Sequence, residues 1–179
     1  MIFRETKLNG VFVIEPERLK DERGFFARTW CQKDFTDKGL NPTVVQCSLS
    51  FNTKRGTLRG MHYQVAPHEE AKLVRCTMGT IYDVVLDLRP ASPTYRQWAA
   101  EELSAENRRM MYVPPGFAHG FQTLVDSTEV FYQISEFYHP ELSRGVRWDD
   151  PAFGVDWPLP PSAISDKDLS YPPLSKLGE

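Results

Sequence analysis

Residues 72–88 read KLVRCTMGTIYDVVLDL and carry the strongest strand signal in the chain. Two runs rich in Val, Ile, Leu and Thr stand on either side of Met78 and Gly79. Runs of this kind, separated by a short turn that contains glycine, predict two β-strands joined as a hairpin. Lys72 is unusual because it is a charged residue in an otherwise apolar strand, where burying an apolar side chain would cost less free energy.

The rest of the chain extends this pattern of short strands divided by turns. One short helix is predicted over residues 32–39, which end in a glycine. With few helices and no alternation of strands with helices, the pattern predicts an all-β antiparallel jelly roll. After Trp148 the chain is rich in proline, which predicts an irregular C-terminal arm. Further strands are expected at residues 10–14, 43–50, 109–113 and 129–135.

Composition limits the class of protein. The chain has 179 residues, 41% hydrophobic and 25% charged, with a net charge of -3. These values predict one globular domain over residues 1–179, with no basic run for nucleic acid and no apolar run that could span a membrane. The N-terminal residues contain no pattern typical of a signal peptide. Three cysteines without a CxxC motif, Cys31, Cys47 and Cys76, favour a reducing compartment, so we predict a cytoplasmic location.

His62, in the stretch RGTLRGMHYQ at residues 55–64, is a candidate general base because an unperturbed histidine has a pKa of about 6.5. Asp168 could orient it, Lys72 could stabilise an enolate oxygen, and Tyr132 could protonate the opposite face of a carbanion. Each residue alone also fits an ordinary role: a histidine bonded to the backbone, a lysine at a rim or a packed tyrosine.

A metal site is a second interpretation of His62. Some cupins bind a metal through a His-x-His pair, a downstream Glu and a later His, and His62, Glu69 and His119 occur in that order. Gln64 stands where the second histidine would be, and a neutral amide is a poor ligand for Fe, Mn or Zn. The sequence therefore favours a site without metal.

Arg23 and Arg59 each lie next to a glycine. A guanidinium beside a backbone that can approach closely suits a phosphate or a diphosphate. The alternative for Arg23 is a surface ion pair with Asp21 or Glu22, which would contribute little.

Several long motifs then occur in one order, and through them the chain resembles the dTDP-4-dehydrorhamnose 3,5-epimerases, nucleotide-sugar epimerases that are cofactor-free cupins. The resemblance runs almost from end to end. Its main motifs are DERGFF at 21–26, TLRGMHYQ at 57–64, KLVRC at 72–76, LSAENRRMMYVPPGFAHGFQTL at 103–124 and VFYQISEFY at 130–138.

The resemblance implies a role for each matching residue. His62 would be the base, Asp168 its carboxylate partner, Lys72 the group beside the enolate oxygen and Tyr132 the acid on the far face. It further implies a homodimer that exchanges N-terminal strands, with a nucleotide sugar as substrate and no metal or organic cofactor. The substrate contacts implied are Arg23, Phe26, Gln46, Arg59, His119 and Tyr138.

Two positions depart from the family pattern. Ser48 stands where the family commonly has Asn, and Arg28 stands where it often has Glu. A guanidinium could donate to cytosine, whose N3 and O2 both accept, so a CDP-linked sugar is an alternative substrate. Inversion at C3 or C5 alone, a metal-dependent cupin enzyme and a non-catalytic sugar-nucleotide binding module also remain open at this point.

Overall fold

The computed structural model describes residues 1–174 as thirteen strands and two short helices. In chain order they are β1 (Ile2–Glu5), β2 (Phe12–Glu15), β3 (Leu19–Asp21), β4 (Gly24–Phe26), α1 (Gln32–Asp37), β5 (Gln46–Asn52), β6 (Leu58–Gln64), β7 (Lys72–Met78), β8 (Thr80–Asp87), β9 (Trp98–Ser104), β10 (Met110–Val113), β11 (Phe117–Thr123), β12 (Thr128–Ile134), β13 (Ser143–Gly145) and α2 (Asp166–Ser170).

Two antiparallel sheets pack face to face. One has six strands in the order β1-β2-β10-β7-β12-β5, and the other has five in the order β13-β6-β11-β8-β9. The strands β3 and β4 form a separate two-stranded sheet. This arrangement confirms the predicted all-β antiparallel fold with few, short helices. Neither described helix is long and apolar enough to cross a membrane.

The predicted hairpin of residues 72–88 is wrong in one respect. Both strands form, but β7 pairs with β10 and β12, whereas β8 pairs with β9 and β11 in the other sheet. Gly79 makes the change of sheet with φ 77°, and a Cβ there would lie 2.5 Å from Oγ1 of Thr128. A side chain at position 79 would therefore obstruct the corner.

The interior between the two sheets explains why the chain changes sheet there. Val74 and Cys76 of β7 pack in the same buried cluster as Ile81 and Val85 of β8. If the two strands had paired side by side, these apolar faces would lie on one sheet. Other residues would then have to pack on them to shield them from water. Turning the chain at Gly79 instead places the two faces against each other.

The other predicted elements form within a few residues of the expected bounds. Residues 10–14 and 43–50 appear as β2 and β5, and the predicted helix over 32–39 appears as α1. The strands β1, β3, β4, β6, β9, β11 and β13 had not been predicted. Beyond Trp148 the chain forms an isolated bridge at Ala163 and then α2. The single domain over residues 1–179 stays a prediction, and residues 175–179 lie outside the described part.

Candidate active site

A cavity of about 270 Å³ opens between the two sheets. Because the sheets face each other, residues of both line it. The six-stranded sheet contributes Ser48, Ser50, Lys72, Tyr132 and Ile134, and the five-stranded sheet contributes Arg59, His62, His119 and Phe121. The structure therefore brings together three of the four predicted catalytic residues in one cavity, and the fourth, Asp168, lies behind one of them.

His62 and Asp168 form a hydrogen-bonded pair although 106 residues separate them in sequence. Nε2 of His62 lies 2.6 Å from Oδ1 of Asp168. The other carboxylate oxygen, Oδ2, accepts from the backbone N–H of Gly60 at 3.2 Å. The His62 side chain is 40% exposed and that of Asp168 only 5%. One ring nitrogen is thus fixed by a buried carboxylate, while the ring itself remains reachable from the cavity.

The short helix α2 holds Asp168 in this position. Ser165 caps the helix, because its Oγ accepts from the backbone N–H of Asp168 at 3.1 Å. Just after the helix, the ring of Tyr171 lies on Gly145 of β13, where a Cβ would meet the ring at 2.3 Å. The same ring meets that of His62 edge to face, with 6.1 Å between centroids. The cap and this contact hold α2 and Tyr171 against the five-stranded sheet.

Asp168 is ionised at neutral pH. Burial alone would raise the pKa of this carboxyl group, but the hydrogen bond and charge of His62 outweigh it, aided by the Gly60 amide, and the pKa falls below 3.8. A lowered pKa in the folded state means that the pair stabilises the fold above the ordinary pKa of Asp and loses that contribution as the pH falls through the folded value.

Lys72 is nearly buried and its ammonium group is aimed into the site. Nζ lies 2.8 Å from Oε1 of Glu70 and donates to the backbone carbonyl of His62 at 3.4 Å. Glu70 was missed by the sequence analysis, although a carboxylate two residues before a buried lysine is a usable signal. The carboxylate of Glu70 pairs with the ammonium group of Lys72 and holds it next to the backbone of His62.

A second buried pair consists of His119, which lines the cavity, and Asp83, which does not. Nε2 of His119 lies 2.7 Å from Oδ1 of Asp83, and both side chains are at most 5% exposed. Burial raises the pKa of Asp83, against the charges of His119 and Lys72. Asp83 was also missed by the sequence analysis. The signal available was a carboxylate in the middle of the apolar run of residues 80–88.

Tyr132 lies on the six-stranded sheet, which faces the five-stranded sheet that carries His62. Its ring meets that of His119 edge to face, with 6.2 Å between centroids. Burial, reinforced by the Asp83 carboxylate, raises the pKa of Tyr132 far above its usual value. The phenol therefore carries its proton at neutral pH and is available as an acid.

A second cavity of about 250 Å³ shares Arg59 and His62 with the first, so the two adjoin at these residues. It is lined by Tyr138, which is 59% exposed. The backbone N–H of Tyr138 donates to Oε1 of Gln46 at 2.7 Å, and Nε of Arg59 donates to Oδ1 of Asn52 at 2.7 Å. The predicted substrate contacts Arg59 and Tyr138 thus line this extension, while Ser48 and His119 line the inner cavity.

Four predicted substrate contacts do not line these cavities: Gln46, which contacts Tyr138 from outside them, and Arg23, Phe26 and Arg28. Arg23 is 85% exposed on its side chain and pairs with Asp21 at 2.5 Å, the ion pair considered as its alternative role. Phe26 is 69% exposed. Arg28 and Phe26 line a different pocket, beside Met1 and Asp34. Within one chain, the segment around β3 and β4 is therefore separate from His62.

The residues of the metal interpretation, His62, Glu69 and His119, are not among the side chains of residues 1–174 that lie close enough together to hold a metal ion. His62 is bonded to Asp168 and His119 to Asp83, two separate carboxylates. The Gln64 amide is buried and faces backbone groups: Nε2 donates to the carbonyls of His68 and Phe137, and Oε1 accepts from the N–H of His139. Gln64 is therefore a structural residue that ties two loops together.

Taken together, the geometry suits proton transfer on a carbon acid. A histidine with an orienting carboxylate lies on one wall and a protonated tyrosine on the other. A lysine from the same sheet as the tyrosine can stabilise negative charge. An adjoining cavity with an arginine and an exposed aromatic ring offers room for a larger anionic group.

Comparison with known proteins supports the same assignment. Residues 5–176 match the family model described as dTDP-4-dehydrorhamnose 3,5-epimerase. The dTDP-4-dehydrorhamnose 3,5-epimerase of Methanothermobacter thermautotrophicus is 46% identical over 175 residues, which cover 96% of this chain and 94% of that protein.

Solved structures agree over nearly the whole chain. The dTDP-4-dehydrorhamnose 3,5-epimerase of Elizabethkingia anophelis superposes with a TM-score of 0.94 at 38% identity, covering 98% of this chain and 97% of that one. The enzyme of Bacillus anthracis, solved with TDP and PPi bound, gives 0.93 at 40% identity, covering 97% and 99%. The chain belongs to the dTDP-4-dehydrorhamnose 3,5-epimerase family.

Proposed function

We propose that this protein epimerises C3 and C5 of dTDP-4-keto-6-deoxyglucose and so forms dTDP-4-keto-rhamnose. The observation that carries the proposal is the placement of His62 and Tyr132 on opposite sheets across one cavity. Inversion at a carbon requires that a proton leave one face and return to the other. A sugar ring held between the sheets would present one face to the base and the other to the acid.

His62 acts as the base. The C4 ketone acidifies the hydrogens on both flanking carbons, and His62 removes the proton from C3 while the electron pair moves onto the ketone oxygen as an enolate. Asp168, kept ionised, stabilises the imidazolium that forms. Tyr132 then delivers its proton to the opposite face of C3 as the ketone reforms. Exchange with water restores Tyr132 and His62, and the same steps follow at C5.

Lys72 stabilises the enolate oxygen. Its ammonium group lies within the cavity and is held by Glu70, so little reorganisation is needed when the negative charge develops. His119, oriented by Asp83, lies next to Tyr132 and would donate to the ketone oxygen from the same side. The electrons stay on the substrate throughout, so we expect no metal or organic cofactor.

The nucleotide occupies the adjoining cavity. Arg59 would grip the diphosphate, while Gln46, through its bond to the Tyr138 amide, holds the segment whose ring would stack on the base. Ser48 lines the sugar end. These positions follow the sequence prediction and are supported by the shared lining of the two cavities.

Deuterium incorporation tests this proposal. We expect the protein, incubated with dTDP-4-keto-6-deoxyglucose in heavy water, to place deuterium at both C3 and C5, because the abstracted proton exchanges with solvent through a half-exposed His62. NMR resolves the two positions. dTDP-glucose is the matched control, since it lacks the ketone and should acquire no label.

The possible outcomes separate the alternatives. Label at C3 alone would replace the proposal with a mono-epimerase. Label only with the CDP-linked analogue would show that the protein is specific for a cytosine nucleotide, the alternative that Arg28 raises. Tight binding of dTDP without any label would overturn catalysis and favour a binding module.

We also propose that the protein is a homodimer in which the N-terminal strands of one chain complete the site of the other. β5 is an unpaired edge of its sheet, and it exposes Leu49 (63%) and Phe51 (54%). An apolar edge of this kind is a ready surface for another chain. Because Ser48 on β5 lines the cavity, a partner's β3–β4 segment laid along this edge would bring Arg23, Phe26 and Arg28 to the substrate.

A purified mixed dimer tests the exchange. We expect a dimer of one His62→Ala chain and one Arg23→Ala chain, isolated through two different tags, to keep about half of the native activity, because one site carries both changes and the other carries none. If each site were built from one chain, both sites would be damaged and the mixed dimer would be nearly inactive. The two parent homodimers serve as controls.

The cytoplasmic location stays a prediction. It rests on three cysteines that remain unpaired in the structure: Cys47 is exposed, Cys31 half-buried and Cys76 buried. Free thiols of this kind persist in a reducing compartment.

A further inference from the structure

We propose that His68, Glu136 and His139 form a binding site for a divalent transition-metal ion of the Zn²⁺ class at the rim of the protein. In residues 1–174, these three side chains offer ligand atoms that all lie within 4.8 Å of one another. None of the three belongs to the proposed proton-transfer machinery. The inference therefore does not depend on the proposed function.

The backbone under the site is fixed by one buried side chain. Gln64, only 3% exposed, donates through Nε2 to the carbonyl of His68 at 2.8 Å and to that of Phe137 at 3.1 Å. Its Oε1 accepts from the backbone N–H of His139 at 2.6 Å. The loop after β6 and the segment after β12 are thereby held together. A site whose backbone is already in place loses little entropy when it binds a metal.

The side chains are close to the spacing that a metal needs. Metal bonds of about 2.0 to 2.1 Å in a tetrahedral site separate neighbouring ligand atoms by roughly 3.4 Å. Nδ1 of His68 lies 3.4 Å from Oε2 of Glu136. The imidazole rings of His68 and His139 stack with 3.9 Å between centroids and 20° between planes. A small rotation of the His139 ring would complete the set.

The donor atoms suit Zn²⁺ and its neighbours. Two imidazoles and one carboxylate are typical ligands of Zn, Ni and Cu and a poor set for Mg or Ca. Glu141 lies 3.1 Å from Nδ1 of His139 and can orient that ring from outside the trio.

Access to the site is open. The side chains are 40% exposed at His68, 29% at Glu136 and 28% at His139, so a hydrated ion can enter without unfolding. The segment that it would clamp includes Tyr138, which lines the outer cavity. A bound ion would hold that residue more firmly and would not touch His62 or Tyr132.

Calorimetric titration with Zn²⁺ tests the site on the whole protein. We expect one Zn²⁺ per chain, and we expect the double variant His68→Ala, His139→Ala to bind at least ~10-fold more weakly, the least that is lost when even an outer partner of a ligand is removed. Cys31→Ser and Cys47→Ser should be present in every protein compared, because accessible thiols also bind zinc.

His62→Ala is the matched control, since it removes another histidine with a carboxylate partner and should leave zinc binding unchanged. Circular dichroism of each variant before titration ensures that all are folded. Stoichiometric binding retained by the double histidine variant would overturn the site. So would an affinity for Zn²⁺ too weak to measure in the parent protein, or loss of binding in His62→Ala.

Discussion

His62→Ala is expected to lower turnover by about 10²- to 10⁴-fold, the range that a positioned general base contributes, while dTDP binding stays nearly unchanged. The ring is the group in the cavity with a buried carboxylate behind it and access to solvent in front. Removing it leaves Asp168 bonded to the Gly60 amide but too far back to replace the base. The diphosphate and base contacts proposed for Arg59 and Tyr138 are untouched.

Turnover is measured by NMR of the keto sugar, and dTDP affinity by calorimetry. Asp168→Asn is a second, milder variant, because it keeps the shape of the carboxyl group and removes its charge. We expect it to fall between the native protein and His62→Ala. A His62→Ala protein that retains half of the native rate would contradict the assignment of the base.

Tyr132→Phe is expected to separate proton removal from inversion. The variant keeps the aromatic packing against His119 but lacks the phenolic proton. His62 can still form the enolate and return a solvent-derived deuteron to the same face. We therefore expect deuterium at C3 to accumulate at a rate within about tenfold of native, while formation of the inverted sugar drops by about 10²-fold or more.

Both rates come from one incubation in heavy water, since label and configuration are read from the same spectra. Tyr82→Phe is the control for loss of a phenol elsewhere: Tyr82 lies on the other face of the five-stranded sheet and packs against Trp157. Equal loss of exchange and inversion in Tyr132→Phe would show that the tyrosine supports enolate formation, and the two-face mechanism would have to be revised.

Six of the thirteen described strands were predicted from the sequence, whereas the pairing of the strands was not. A run rich in Val, Ile, Leu and Thr indicates a strand, and β7 and β8 were predicted for that reason. It does not report which sheet a strand joins. The change of sheet at Gly79 places β7 and β8 against each other across the core, and the composition of the short turn could not reveal that packing.

Some residues of the site were predicted from the sequence and others were not. Residue chemistry alone offered His62, Lys72, Tyr132 and Asp168 as candidates, and the family resemblance joined them into one mechanism. The buried carboxylate Asp83 was not predicted because no motif marks it within the apolar run of residues 80–88. Arg23, Phe26 and Arg28 could not be placed from the sequence or from one chain, because their proposed position depends on a partner.

The origin of Asp168 in the last helix has a consequence for how the protein matures. During synthesis from the N-terminus, every strand from β1 to β13 leaves the ribosome before the residue that orients the base. The strands of both sheets can therefore form before the base is oriented, and full activity is expected only once α2 has docked beside Gly60. Proteolytic clipping between β13 and α2 would reverse that order and leave a folded chain that holds a base without its carboxylate.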